Sequence, residues 1–176
     1  AMKAFVELHE DVICKPLQGM GGAGIFRVRQ QDPNLQVIWE QMTDKGLQPI
    51  MIQRYLPEVI DGDKRILLVE GEPAPYAVAR IPKSGETRAN LAAGGSARIQ
   101  PLSERDRWLC QQVGETLKSL GFSLVGLDVI GDYITEINVT SPTCFREILY
   151  ETKFDVAAQL MSALKLGIIH PDSHHK

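Results

Sequence analysis

The sequence predicts an α+β fold with a largely antiparallel sheet, and two observations carry that expectation. Residues 64–70 and 74–81 are β-rich, lack helical spacing and are separated by a Gly-Glu-Pro turn, so they form a hairpin; residues 123–130 and 133–139 form a second. Helical period is confined to segments outside these pairs, at 33–44, 103–120 and 154–166. No internal repeat or linker interrupts the 176 residues, a length that suits one domain or two lobes around a cleft.

Each element has a local cause. Residues 3–9 read as the end of a helix and 12–15 as a short strand, after which a glycine run leads into the apolar segment 25–28. Pro33 opens a helix that Gly46 stops, and residues 49–53 return as a strand. The stretch PKSGETRANLAAGG, residues 82–95, is polar, glycine-rich and aperiodic, which predicts a long loop between strands. Ser103 caps the next helix, with Arg105, Asp106 and Lys118 expected outside and Trp108, Leu109, Val113 and Leu117 inside. Residues 154–166 form a closing amphipathic helix.

Composition excludes several classes of function. The chain is 44% hydrophobic and 23% charged, and no apolar stretch approaches the roughly eighteen residues that a membrane span needs. A net charge of -3 and a pI near 5.8 give no general attraction to nucleic acid, so any anion must be held by a local arrangement. Cys14, Cys110 and Cys144 are odd in number and widely spaced, which fits a reducing cytoplasm and neither a disulfide framework nor a zinc site. The opening AMKAFVELHEDV has dispersed charge and is no secretory signal. His170, His174 and His175 sit in a polar tail around Pro171, which reads as a frayed end or tag remnant.

Two segments carry chemistry. In KPLQGMGGAG, Lys15 ends a strand and Gly19, Gly21, Gly22 and Gly24 occupy the loop that follows; glycines let backbone N–H groups converge on phosphate oxygens without side-chain obstruction. No Gly-Lys-Ser/Thr opens a helix here, so this is neither a Walker A loop nor a dinucleotide fingerprint, and the flanking strands favour a hairpin flap. A glycine-rich structural turn is the alternative reading.

The second segment is VGLDVIGDYITEINV, residues 125–139. Period-two alternation places Val125, Leu127 and Val129 on one face and Gly126 and Asp128 on the other. A plain two-residue turn at Gly131 and Asp132 would set Asp128 against Thr135 and drive Glu136 among apolar residues. An odd-length turn or bulge removes the conflict; with residues 131–133 as the loop, Asp128 faces Glu136, Gly126 faces Asn138, and Ile137 and Val139 join the core side. Two carboxylates and an amide oxygen then share one patch, and like charges so close call for a hard cation such as Mg²⁺. Alternatively, Asp128 pairs with an arginine, Glu136 is solvated and Asn138 organises the Thr-Ser-Pro-Thr turn after it.

Taken together, KPLQGMGGAGIFRV, QRYLPEVIDGDKRILLVEGEP, ARIPKSGETRANLAAGG and GLDVIGDYITEINVTSPTCFREI, spanning residues 12–150 in order, resemble bacterial glutathione synthetase, a member of the ATP-grasp ligases. The resemblance implies an ATP-grasp fold, with a nucleotide lobe at about 12–56 and a metal and substrate lobe at about 57–166. It also implies ATP-dependent joining of γ-glutamylcysteine and glycine through an acyl phosphate, with Mg²⁺, or alternatively Mn²⁺.

By the same resemblance, Lys15 and the loop 19–24 hold the phosphates, Gln53, Tyr55 and Leu56 meet adenine, and Asp63 meets the ribose. Arg65 and Arg80 stabilise charge on the transferring phosphoryl group. Asp128, Glu136 and Asn138 bind the metal, and Ser141, Thr143 and Arg146 contact the peptide, although an N-capping turn and a helix-surface charge are rival explanations for those three. The loop carrying Asn90, Gly94 and Gly95 closes over the intermediate and excludes water. Cys144, without a His partner, is a small packing residue. The family's earlier lysine and preceding domain have no room before Val12, so the resemblance further implies a C-terminal fragment that binds ATP weakly and ligates little by itself. A cytoplasmic location without nucleic-acid or membrane partners is expected, and homo-oligomerisation is left open. Another ATP-grasp carboxylate–amine ligase and a nucleotide-binding module without turnover are the competing functions.

Overall fold

A computed structural model describes residues 2–18, 21–83 and 96–169. Among these, α1 (Met2–His9), β1 (Asp11–Pro16), β2 (Phe26–Arg29), α2 (Leu35–Met42) and β3 (Ile50–Arg54) come first. A 3-10 turn, Pro57–Asp61, leads to β4 (Asp63–Val69), β5 (Glu72–Ile81), β6 (Ser96–Pro101) and α3 (Glu104–Ser119). The chain continues through β7 (Leu124–Ile130), β8 (Tyr133–Asn138), α4 (Phe145–Thr152) and α5 (Val156–Ile169). Contacts divide it into two compact units, one built on residues up to Pro57 and the other on Glu58–Ile81 and the residues from Ser96 onward.

The first unit is a three-stranded antiparallel sheet in the order β2-β1-β3. Alternation along β1 buries Val12 and Cys14, which join Val6 from α1 and Val28 from β2 in a small core. Leu35, Ile38 and Trp39 of α2 cover that core without being fully buried. Thr43 ends α2 by bonding back to the Trp39 carbonyl, and Gly46 follows in the left-handed region at φ +94°.

The second unit holds a five-stranded antiparallel sheet in the order β6-β5-β4-β7-β8. One face carries Ile66, Leu68, Ala77, Val125, Leu127 and Val129 against Leu109, Cys110 and Leu117 of α3. The opposite face carries Leu67, Val69, Ala74 and Val78 against Ile148 of α4 and Val156 of α5. This is the expected α+β class, and no helix among the described residues is long and apolar enough to cross a membrane.

Several expectations are corrected. Strand β6 and helix α4 were implied, by a loop expected to run between strands and by the reading of Arg146 as a helix-surface charge, but their bounds were not anticipated. Trp108 lies 46% exposed, whereas Asp106, expected outside, is completely buried. It closes a capping box with Ser103, and its carboxylate also pairs with Lys64 of β4. Ile137 does lie on the α3 side of the sheet by register, opposite Leu127, but β8 is an edge strand and leaves it exposed; Val139 falls just past the end of β8 and is exposed too. The expected loop at 82–95 and the histidine tail fall largely outside the described residues.

Asp106 makes the stability of this unit depend on acidity. Burial works against its charge, but the hydrogen bonds from Lys64 and Ser103 outweigh it and hold the carboxyl below its ordinary 3.8. A depressed pKa contributes stability above the unfolded value and loses it as the pH falls. Asp106→Asn is therefore expected to unfold at lower denaturant than the parent near neutral pH, with the gap closing below about pH 4. Denaturant midpoints measured across that range check this, and a gap undiminished at low pH would contradict it.

Candidate functional site

The acidic hairpin has the register its face pattern demanded. Asp128 lies opposite Glu136, and Gly126 opposite Asn138. The device that achieves this is a bulge rather than the three-residue loop at 131–133. The turn is Gly131 and Asp132 alone, Ile130 pairs with Tyr133 and Val129 with Ile134, and the ladder then shifts so that Thr135 is the extra residue. Thr135 turns its hydroxyl back to donate to the Asp128 carbonyl at 3.2 Å. Gly131 supplies the positive φ of the turn, at +54°.

On the same face, the next strands add Asp63, Arg65 and Arg80. Register places Arg65 opposite Asp128, and Asp63 opposite Arg80. The four side chains form a row of alternating charge, with Arg65, Arg80 and Asp128 buried and Asp63 half-buried at its end. Arg65 donates to both Asp128 oxygens, through Nε and Nη2. Arg80 Nη2 stands 2.9 Å from Asp128 Oδ2 and 2.7 Å from Asp63 Oδ2. That nitrogen makes ion pairs without the alignment of a hydrogen bond, while its neighbour Nε donates to the Asp63 backbone carbonyl at 3.2 Å.

Position in the row explains the acidity of each group. Burial penalises Asp128, but hydrogen bonding to Arg65 and the charge of Arg80 more than compensate, so its carboxyl is depressed. Burial pushes Asp63, at the end of the row with Asp128 repelling it, up to about 6 despite Arg80. Arg80 is also buried, yet the two carboxylates beside it hold its pKa above the ordinary value. The outer acid and the inner arginine shift in opposite senses of favour because one has a single cationic neighbour in contact and the other has two anionic ones.

Glycine makes room for this row. A Cβ on Gly126 would come within 2.8 Å of Pro142 and 3.1 Å of the Arg65 side chain, so Arg65 can cross β7 only where β7 has no side chain. The Nδ2 atom of Asn138 is buried and unpaired. Among the described residues no three His, Cys, Asp or Glu side chains converge as a metal centre. The donor set here is two carboxylates and an amide, which fits Mg²⁺ because that ion takes one or two carboxylates and leaves its other positions to phosphate oxygens and water.

Beyond Asn138, the peptide-contact candidates are dispersed. Ser141 and Thr143 are exposed, and neither caps α4; the N-cap is Cys144 at φ +87°, with no side-chain capping bond. The capping explanation therefore fails. Arg146 is exposed and donates to the Tyr150 hydroxyl at 3.0 Å. Cys144 is buried in the α4 side of the core, where burial raises its thiol pKa, in keeping with a packing role.

In the first unit, Lys15 sits on β1 opposite Met51, and Gln53 on β3 opposite Ile13. Gly21, Gly22 and Gly24 form a turn with φ of +67°, +79° and +71°, a conformation that requires glycine whatever the turn binds. Tyr55 and Leu56 follow β3 and are half-buried. The Tyr55 ring carries the Arg27 guanidinium 3.5 Å above its centroid, and Arg27 in turn pairs with Asp11. Gly19, Asn90, Gly94 and Gly95 lie outside the described residues.

The fold defines the class. The chain superposes on an ATP-grasp ligase, PsnB, complexed with minimal precursor, Mg and ADP, with a TM-score of 0.63 over 94% of this chain and 48% of that one at 19% identity. It also superposes on D-alanine–D-alanine ligase from Bacillus anthracis, with a TM-score of 0.62 over 99% of this chain and 60% of that one at 11% identity. At such identities the likeness establishes an ATP-grasp fold. The sequence narrows it further: residues 1–153 match the prokaryotic glutathione synthetase ATP-grasp domain, and the chain belongs to that family. It is 60% identical over 163 residues to the glutathione synthetase of Pseudomonas aeruginosa PAO1 and 57% identical over 164 residues to that of Escherichia coli K12. Each match covers 93% of this chain, and the chain spans about half the length of these curated relatives, 51% and 52% respectively.

Proposed function

We propose that this chain supplies phosphate- and metal-binding machinery for the ATP-dependent ligation of γ-glutamylcysteine and glycine to glutathione. The observation that carries the reading is the row of Asp63, Arg80, Asp128 and Arg65, with Asp128 opposite Glu136 and Gly126 of the same strand opposite Asn138, within a chain of this family. In the reaction, a carboxylate oxygen of the dipeptide attacks the γ-phosphorus of ATP and ADP leaves. The glycine nitrogen then attacks the acyl carbon, phosphate leaves and the amine gives up a proton.

Asp128, Glu136 and Asn138 would hold Mg²⁺, which when bound neutralises charge on the phosphates and the reacting carboxylate. Arg65 and Arg80 are fixed in place before substrate arrives, so their charge serves the transferring phosphoryl without reorganisation. Lys15 and the loop 19–24 would hold the phosphates, and Gln53, Tyr55 and Leu56 the adenine. Ser141, Thr143 and Arg146 would face the peptide, with Asn90, Gly94 and Gly95 over the intermediate. Full ligation is assigned to a protein of the relatives' whole length, in a cytoplasmic setting.

Calorimetric titration of this chain with a non-hydrolysable ATP analogue and Mg²⁺ tests the metal assignment. Glu136 is exposed on an edge strand, so Glu136→Gln leaves the fold intact. It is expected to weaken Mg²⁺-dependent nucleotide binding by about tenfold or more. Binding that is indifferent to Mg²⁺, or unchanged in the variant, would rule the assignment out.

A further inference from the structure

We infer that Asp11 and Arg27 are positioning residues that clasp Tyr55, and so hold the segment from Gln53 to Leu56 in shape for the adenine ring. The inference rests on the adenine role proposed for that segment. Three features of the first unit support it.

First, the residues share a face. Alternation along β1 turns Val12 and Cys14 into the core that α1 and α2 cover, so Asp11, Ile13 and Lys15 point the other way. Register sets Arg27 of β2 and Gln53 of β3 on either side of Ile13, on that same face. The face away from the helices therefore carries Lys15 and Gln53, both proposed for ATP, together with Asp11 and Arg27. Second, the contacts interlock. Arg27 grips Asp11 at two points, donating from Nε to Oδ1 at 2.9 Å and from Nη2 to Oδ2 at 2.6 Å. The same guanidinium lies 3.5 Å from the centroid of the Tyr55 ring. The Asp11 backbone carbonyl then accepts from the Tyr55 N–H at 3.0 Å. Asp11 thus holds Tyr55 twice, directly by the main chain and through Arg27 by the ring.

Third, the clasp lies where the sheet stops holding the segment. The strand order is β2-β1-β3, so β2 and β3 are not neighbours, and Arg27 reaches Tyr55 across β1, a span of roughly 10 Å between strands two apart. The β1–β3 ladder ends with Arg54 opposite Val12, and Pro57 already opens the 3-10 turn. Tyr55 adds one backbone bond past that ladder, and Arg27 fixes the direction in which its ring leaves the sheet. Chain that has just left a sheet opens easily, and ordering it in advance removes that cost from binding. The Arg27 and Asp11 side chains are only part-buried, at 27% and 28% exposure, so either can be replaced without opening the core. Arg29 also approaches Asp11, at 3.5 Å, but is 69% exposed and touches neither Tyr55 nor the core, which makes it the control.

The test titrates this chain with a non-hydrolysable ATP analogue and, separately, with inorganic tripolyphosphate, each with Mg²⁺, and follows hydrogen exchange at the Tyr55 amide. Arg27→Met keeps an apolar stem and removes both the charge and the fork. It is expected to speed Tyr55 exchange and to weaken the ATP analogue by roughly 5- to 20-fold, with tripolyphosphate within about twofold. Arg27→Lys, which keeps the charge without the fork, is expected to recover part of that affinity. Arg29→Met, at an exposed pair, should leave both readings where they are. Equal weakening of the two probes would make the clasp a support of the whole unit, and overturns the inference. Weakened analogue binding with an unmoved Tyr55 amide would make Arg27 a nucleotide contact itself, and overturns it too. If the parent binds neither probe, the proposed nucleotide role falls and takes the adenine purpose of the clasp with it. Faster Tyr55 exchange in Arg27→Met would then still separate that failure from the absence of a clasp.

Discussion

Asp128→Ala is expected to lower the unfolding free energy of this chain by about 3–5 kcal/mol. Arg65 and Arg80 are 7% and 4% exposed, and both pair with Asp128, itself 3% exposed. Removing the carboxylate leaves Arg65 without its bidentate partner and Arg80 with Asp63 alone. The cost is set by those stranded cations rather than by the net worth of the pairs, because desolvation offsets most of what a buried ion pair contributes. Arg65→Met combined with Asp128→Leu is therefore expected to recover most of the loss, since it removes charge of both signs and fills the space with apolar atoms. Chemical denaturation of the three proteins is the measurement. A single-variant loss below about 1 kcal/mol would mean that water reaches the arginines once Asp128 is gone. Activity moves separately, since Asp128 is also a proposed metal ligand, and the double variant should be stable yet unable to support Mg²⁺-dependent binding.

That row of charges was half legible in the sequence. Period two on β7 and β8 fixed which residues share a face, because Glu136 among apolar side chains would have been too costly, and Asp128 does face Glu136. Parity could not say how the odd residue is accommodated, since a three-residue loop and a bulge at Thr135 satisfy it equally. Asp63 and Arg65 could also be put on one face of β4 from their spacing. That Arg80 meets both Asp63 and Asp128 depends on the register between β4 and β5, across an irregularity where Ile66 pairs with Ala77 and Leu68 with Pro73. No local pattern encodes that shift.

Helix α3 shows a signal that was present and misread. Its buried residues are Asp106, Leu109, Cys110, Gly114 and Leu117, a stripe of three- and four-residue steps. Asp106 begins that stripe and Trp108 lies off it, so periodicity alone places the aspartate inside. Residue type argued the opposite, because a buried carboxylate needs a partner, and that partner, Lys64, is 42 residues away in sequence. Helix α4, implied only by reading Arg146 as a helix-surface charge, lacks bounds legible in the sequence for another reason. Its eight residues follow a polar turn, and its N-cap is a cysteine in the left-handed region without the usual side-chain bond.

The same stripe yields the other large effect, at Gly114. Helix propensity alone predicts that Gly114→Ala stabilises α3 by about 1 kcal/mol, since glycine is the poorest former short of proline. The packing predicts the opposite sign. A Cβ on Gly114 would stand 2.3 Å from the Gly71 carbonyl oxygen, and the contact is reciprocal, because a Cβ on Gly71 would stand 2.6 Å from the Gly114 oxygen. Both obstacles are backbone, so no side chain can swing aside. Gly71 is held at φ +81° in the turn joining β4 to β5, which leaves that turn little freedom to retreat. The helix must instead lift off the sheet, opening gaps along Leu109, Cys110 and Leu117 where they pack on Ile66, Leu68 and Leu127. Overpacking of this kind costs about 1–3 kcal/mol or more, which exceeds the propensity gain. Gly114→Ala is thus expected to lower Tm by several degrees, roughly 2–8 °C for a domain of this size. An unchanged or raised Tm would show that α3 stands further from the β4–β5 turn than the contact requires. Because Asp106 opens the same helix and pairs with Lys64 of β4, any lift should also loosen that pair, so the acid sensitivity assigned to Asp106 should weaken in Gly114→Ala.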